Sequence, residues 1–254
     1  MNPHVEFSLK IGCKGACIKF CPQEKVVLLY QDTPHLSFES FSRMVNTIPA
    51  NIDICFSGVS EPSENPDYIR MILYAYRKGH GIMFNTNLSD VTIDDAMRLC
   101  QISFTEVMLH LPDSCGNLHI PQTQEYLEVK DYMERHIDSI YTMSMNKRFV
   151  SHGREDIHRG KSTILRSGRI SCYRIDTPGW FVMPNGDVFP CCMTFGLCDK
   201  VGNLLEQSYE EIDRAMEIKY HTMSIDPNSI CHICKESRNY WKTAILKVLR
   251  KIWD

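Results

Sequence analysis

Short apolar runs alternate with amphipathic stretches from residue 5 to residue 145, and this rhythm constrains the fold more than any other feature of the chain. VEFSLKI (5–11), IDICFSG (52–58), HGIMFNTN (80–87), FTEVMLHL (104–111) and SIYTMSM (139–145) read as strands. Between them, SFESFSRMVNTI carries apolar residues at helical spacing, with Ser37 as its N-cap. NPDYIRMILYAYRKG has Pro66 near its first turn and Gly79 at its stop, and TIDDAMRLCQI starts from Thr92. QEYLEVKDYMERHI (124–137) completes the helical set. Strands alternating with helices of this length imply βαβ units and a parallel sheet, because parallel neighbours need a long crossover. In such sheets active sites gather at the C-terminal ends of the strands.

Past residue 146 the rhythm stops. FVSHGREDIHRGKSTILRSGRIS is polar, basic and rich in turn residues, so 151–171 reads as a linker between a domain over 1–150 and a second over 172–254. Ser151, His152 or Arg154 in that stretch are candidate ligand contacts, with a solvated turn the plainer reading. GWFVMP and DVFP flank Asn-Gly, the turn pair that favours a β-hairpin. RNYWKTAILKVLRKIWD forms an amphipathic helix with Trp241, Ile245, Val248, Leu249 and Ile252 on one stripe, expected to pack on the domain.

A net charge of −3 lacks the basic footprint of a nucleic-acid binder. No apolar run approaches the roughly 18–20 residues that span a bilayer, and no secretory signal opens the chain, so a cytoplasmic protein is expected. Cysteine is the outlier, at twelve residues. In a reducing compartment such thiols serve metals or catalysis before disulfides.

The cysteines fall into two sets. GCKGACIKFCP spaces Cys13, Cys17 and Cys21 as C-x3-C-x3-C directly after the first strand. A closed structural site wants four ligands, so three thiols leave one metal position open, a reading favoured over a structural zinc site that a distant His or Cys completes. The second set is Cys172, Cys191 and the CHIC pair Cys231 and Cys234. Four thiolates suit zinc or an iron–sulfur cluster, and spacing alone does not separate the two. Cys192 and Cys198 are additional thiols in this region.

CKGACIKFCP resembles the cluster loop of the radical S-adenosylmethionine (SAM) enzymes, in which three cysteines bind a [4Fe-4S] cluster. Phe20 fills the aromatic place before the third cysteine, although the family spacing is one residue shorter there. FSGVSEP (56–62), after the second strand, is similar to the family's Gly-Gly-Glu-Pro segment, with Val59 and Ser60 in place of the glycines. FNTN (84–87) resembles the segment ending the third strand, with Leu88 where glycine often follows. Cys172-x13-Gly186-x4-Cys191 and VGNLLE (201–206) resemble the auxiliary-cluster domains of the same family. Tyr240 stands where the larger SPASM version continues with a cysteine, which points to the shorter twitch version.

The resemblance implies an α/β fold, a partial (β/α)6-type barrel with a small C-terminal α+β iron–sulfur domain. It implies Cys13, Cys17 and Cys21 as ligands of a SAM-binding [4Fe-4S] cluster, and Cys172, Cys191, Cys231 and Cys234 as ligands of one auxiliary cluster. Phe20, Ser60, Glu61, Asn85 and Asn87 become candidate SAM contacts. The expected reaction is hydrogen abstraction by a 5′-deoxyadenosyl radical, and oxidation of a small polyol, sugar or aminocyclitol is favoured. An external electron donor is implied. Peptide maturation is the second reading; only about a dozen residues precede Cys13, so a leader-peptide-binding domain is expected on a separate partner. An epimerase would need a thiol to return hydrogen, for which Cys192, Cys198 or Cys115 are available, each more simply a buried or incidental thiol. His110, at the end of EVMLH, is a candidate base or substrate contact and equally a structural histidine. A non-catalytic zinc or iron–sulfur interaction protein is the reading from another class.

Overall fold

The computed structural model describes residues 3–14, 23–112, 118, 120–144, 164–172 and 179–240. Five strands, β1 (His4–Ser8), β2 (Asp53–Ser57), β3 (Ile82–Thr86), β4 (Glu106–Leu111) and β5 (Ile140–Ser144), lie parallel in one sheet. Helices α1 (Gln23–Leu29) and α2 (Phe38–Val45) precede β2, α3 (Tyr68–Arg77) precedes β3, α4 (Ile93–Leu99) precedes β4 and α5 (Gln124–His136) precedes β5. All five strands and the four helices read from the sequence are present, which bears out the α/β class. α1 was not anticipated.

The helix starts follow local chemistry. Ser37, Thr92 and Thr123 each accept a backbone N–H from the first turn, and Thr92 with Asp95 closes a reciprocal capping box. Gly79 sits at φ +93° after α3, the left-handed stop that glycine adopts at little cost.

Alternation along each strand divides the sheet into two faces. Val5, Phe7, Ile54, Phe56, Ile82, Phe84, Val107 and Leu109 face the helices, where Phe41, Met44, Ile72, Leu99 and Met133 complete the main core. The opposite face carries Glu6 and Ser8 on β1, Cys55 and Ser57 on β2, Met83 and Asn85 on β3, and Met108 and His110 on β4. Burying one wholly apolar face while the other holds polar groups at the strand ends is what a ligand-binding half-barrel needs.

The hairpin also forms, and it does so on this same sheet. β7 (Gly179–Val182), after the two-residue β6 (Ile170–Ser171), pairs parallel with the free side of β1. β8 (Asp187–Phe189) and β9 (Gly202–Asn203) follow antiparallel, giving the order β5-β4-β3-β2-β1-β7-β8-β9. The sixth parallel strand therefore comes from the segment beyond the basic stretch and stands beside β1, rather than following β5. Its turn places Gly186 at φ +86°, packed against Asn203 and Leu205.

Two elements differ from expectation. Helix α6 (Tyr209–Ile225), capped by Ser208 with Glu211, was not read from the sequence; only a weak apolar stripe of Ile212, Met216, Tyr220 and Met223 marks it. Arg238–Asn239, taken as the start of the last helix, form strand β10 and pair antiparallel with β6. Residues 241–254 of that helix, the 151–156 stretch and Cys115 lie outside the described residues.

Candidate functional site

β1 runs out at the face where the first cysteine set begins, and the segment after β2 holds it there. Gly58, at φ +102°, lets the chain pass so close to β1 that a Cβ would stand 2.7 Å from the Cβ of Ser8. From that turn, Ser60 donates its hydroxyl to the Lys10 carbonyl (2.7 Å). Asn65, 1% exposed, donates to the carbonyls of Leu9 (2.7 Å) and Leu36 (2.9 Å). Glu64 accepts from the backbone N–H of Lys14 (2.9 Å) and from Cys13 Sγ (3.3 Å), and pairs with the Lys10 ammonium. Cys13 is thereby placed at the C-terminal end of β1. Cys17, Cys21 and Phe20 lie outside the described residues.

Glu61, the expected ammonium partner, is buried and ties the ends of β2 and β3 together. Its Oε1 accepts from the hydroxyls of Thr86 (2.5 Å) and Ser63 (3.0 Å), and its Oε2 from the Asn87 N–H (2.8 Å). Burial pushes its carboxyl above the usual carboxylate range, against those hydrogen bonds. Oε2, which accepts this one backbone N–H, has a second lone pair for another donor. The next turn is fixed by Asn87, whose Oδ1 accepts from Ser89 N–H (2.8 Å), and by Leu88 at φ +62°. The left-handed conformation that a glycine would supply is thus present at Leu88, held by its N–H to Thr86 Oγ1 (2.9 Å).

Asn85 stands on the inner face of β3. Its amide N–H donates to Ser57 Oγ (3.2 Å), while its buried Oδ1 has no hydrogen-bond partner. An orphaned acceptor facing the polar side of a sheet is suited to a donor on a bound molecule. His110, half-buried, lies on the same face of β4, in register with Met143 of β5. Ser60, Glu61, Asn85 and Asn87 therefore converge at the ends of β2 and β3, next to Cys13 at the end of β1.

The second cysteine set forms a separate site. Cys172 follows β6, Cys191 follows β8, and Cys231 and Cys234 occupy the tight turn after α6; all four line one cavity, with Met193 and Met223 among its walls. The pairing of β6 with β10 brings Cys172 to the CHIC turn. Ser237 Oγ donates to the carbonyls of Cys231 (2.5 Å) and Cys234 (2.8 Å). Ser229 Oγ accepts from Cys231 N–H (3.2 Å), and Arg166 donates to the Cys234 carbonyl (2.7 Å). Burial pushes the Cys231 thiol up to about 11 and raises that of Cys234, so thiolates form here only with a cation to share their charge.

The donor set fits an iron–sulfur cluster: four cysteine thiols from three segments line one cavity, and four is the number of thiolates such a cluster takes.

The two candidate thiols diverge from this cavity. Cys192 is 3% exposed within a smaller apolar cluster that includes Ile11, Val26, Val59 and Phe181. Cys198 is exposed beside Asp199 and does not line the cavity. Glu64, Lys10 and Asn65 were not singled out in the sequence; only their proximity to the SEP segment and the cysteine loop marks them.

Partial barrel and thiol-lined cavity together share the fold of solved structures that contain AdoMet. Residues 172–235 match the family model of SPASM, an iron–sulfur cluster-binding domain. Among solved structures, BtrN in complex with AdoMet and 2-DOIA aligns with a TM-score of 0.65 at 15% identity, covering 94% of each chain. Native anSMEcpe with bound AdoMet aligns with a TM-score of 0.58 at 15% identity, over 91% of this chain and 86% of that one. SuiB of Streptococcus suis bound to its precursor peptide SuiA aligns at 0.52 and 13% identity, over 91% of this chain and 71% of that one. No curated protein matches the sequence. No helix among the described residues is long and apolar enough to cross a membrane.

Proposed function

We propose that this chain is a radical SAM oxidoreductase that oxidises a small polyol, sugar or aminocyclitol. The observation that carries this reading is the cavity lined by Cys172, Cys191, Cys231 and Cys234. A cluster held there by four thiolates has no open position for a substrate, and is suited to take up an electron instead. That favours oxidation over epimerisation, as does the burial of Cys192 in apolar surroundings, which suits a packed thiol better than a hydrogen donor. BtrN with 2-DOIA supports a small substrate.

Cys13, Cys17 and Cys21 would hold the SAM-binding cluster. When bound and reduced, that cluster with SAM supplies the 5′-deoxyadenosyl radical that abstracts a substrate hydrogen. The chain's own residues bind and orient. Glu61 Oε2 and the strand end at Asn87 form an acceptor-rich rim for the SAM ammonium, with Ser60 beside it. Asn85 Oδ1 offers an acceptor to a ribose or substrate hydroxyl, and Phe20 an aromatic face for adenine. His110 lines the same face as a substrate contact or base. The domain division of 1–150 as barrel, 151–171 as linker and 172–254 as cluster domain belongs to this reading, with β7 of the latter completing the barrel sheet. So do an external electron donor and a cytoplasmic location.

The test is anaerobic reconstitution with iron and sulfide, reduction in the presence of SAM, and assay for 5′-deoxyadenosine with a panel of polyols and aminocyclitols. An oxidised product with one 5′-deoxyadenosine per turnover is expected. No 5′-deoxyadenosine from protein with both clusters loaded would end the enzyme reading. A peptide substrate is the second reading, favoured by the likeness to SuiB bound to SuiA.

A further inference from the structure

Glu64 lies outside the Gly-Gly-Glu-Pro-like segment, yet it has more contacts to the start of the cysteine loop than any residue within that segment. Its side chain is 1% exposed. Oε1 accepts both the Lys14 N–H (2.9 Å) and Cys13 Sγ (3.3 Å), and Oε2 pairs with Lys10, whose side chain is 18% exposed. The carboxylate thus joins three positions of a five-residue stretch, Lys10, Cys13 and Lys14, to the turn after β2. Gly12, at φ +81°, makes a left-handed bend between Lys10 and Cys13.

We infer that Glu64, seated by Lys10, is the positioning residue of the first cysteine loop. It fixes the backbone at Lys14 so that Cys13 is presented at the end of β1 before Cys17 and Cys21 are engaged. Preorganisation of this kind lowers the ordering cost of assembling a three-thiol site on a loop. A carboxylate beside a ligand sulfur also adds negative charge near the cluster, which favours its oxidised form. The inference rests on the reading of Cys13 as a cluster ligand.

The experiment uses the full chain, reconstituted anaerobically, with iron and acid-labile sulfide counted per chain and the clusters titrated by electron paramagnetic resonance. Wild type should carry about eight irons, four for each of two clusters. E64A should fall to about half of the wild-type iron while its circular dichroism is retained. E64Q keeps an oxygen for the Lys14 N–H but loses the charge; it should load both clusters and move the SAM-binding cluster to a less negative potential. E64A loading like wild type, or E64Q matching the wild-type potential, would overturn the inference. Loss of iron from both sites in E64A and E64Q alike would overturn it too, by showing a general role in folding. If C13A keeps the full wild-type iron content, the parent reading fails, and this one with it.

Discussion

The two cysteine sites are built in opposite ways. At the C-terminal site, four thiols from three separate segments ring one cavity, and hydrogen bonds from Ser237 and Arg166 brace the backbone of the CHIC turn. At the N-terminal set, the chain leaving β1 is held as far as Lys14 by side chains of the next strand end, Ser60, Glu64 and Asn65. A site assembled from distant segments couples its ligands to the fold, whereas a loop site couples them to one another. Filling or emptying the first should therefore move stability, and filling or emptying the second should move chemistry.

The largest expected effect tests that contrast directly. Replacing Cys13, Cys17 and Cys21 together with Ala should abolish 5′-deoxyadenosine formation, halve the iron, and leave the melting temperature of the loaded protein within a few degrees. Replacing Cys231 and Cys234 should also halve the iron, but lower the melting temperature much further, because a cluster bound there would clip β6, β8 and the turn after α6 together. Equal thermal shifts in the two variants would break the comparison.

How much of this was legible in the sequence follows the same divide. Strand alternation and helix caps announced the sheet because they are local: Ser37 and Thr92 act within one turn, and Val5 and Phe7 show their period within five residues. The C-terminal thiols were legible by residue type, since four cysteines in this order have few other uses. The long-range connections were not. Nothing near Gly179 says that β7 will add to β1, more than 170 residues away in the chain, because an apolar strand pairs equally well with several edges. Helix α6 was missed because its buried positions are spaced widely among charged residues, so its amphipathic signal is weak. Glu61 was read as a candidate SAM contact from its place in a motif, and only the fold shows Thr86, Ser63 and Asn87 turned toward it. Leu88 teaches the same lesson: it stands where glycine often follows, and the fold holds leucine at φ +62°.

A smaller effect is expected from Gly58→Ala. A methyl group there meets Ser8 Cβ at 2.7 Å and Ser8 Cα at 2.8 Å, in a backbone conformation that alanine disfavours. The conformational cost is about 1–3 kcal/mol, and the clash adds to it. Because the clash pushes the turn after β2 away from β1, Ser60 and Glu64 withdraw from Lys10 and Lys14. Iron at the N-terminal loop should fall in this variant while the auxiliary site stays loaded, which urea unfolding and metal analysis on the same sample would separate.

The smallest effect sharpens where the N-terminal site ends. Thr92 Oγ1 accepts from Asp95 N–H (3.2 Å), and Asp95 returns a bond to the Thr92 N–H (3.3 Å), closing the box that starts α4. Two residues before it, Asp90 pairs with Lys14 of the cysteine loop at 2.6 Å, with the Lys14 side chain 67% exposed. Exposed pairs of this kind contribute between zero and about 1 kcal/mol, so the loop gains little from α4. Thr92→Ala should cost about 1 kcal/mol by loss of the cap. In a chain of this size that lowers the melting temperature by roughly 2–4 °C. Iron content and 5′-deoxyadenosine formation should stay at wild-type values. A parallel loss of iron would mean that the loop is anchored through Asp90 as firmly as through Glu64, and the support of Cys13 would then extend from the end of β2 to the end of β3.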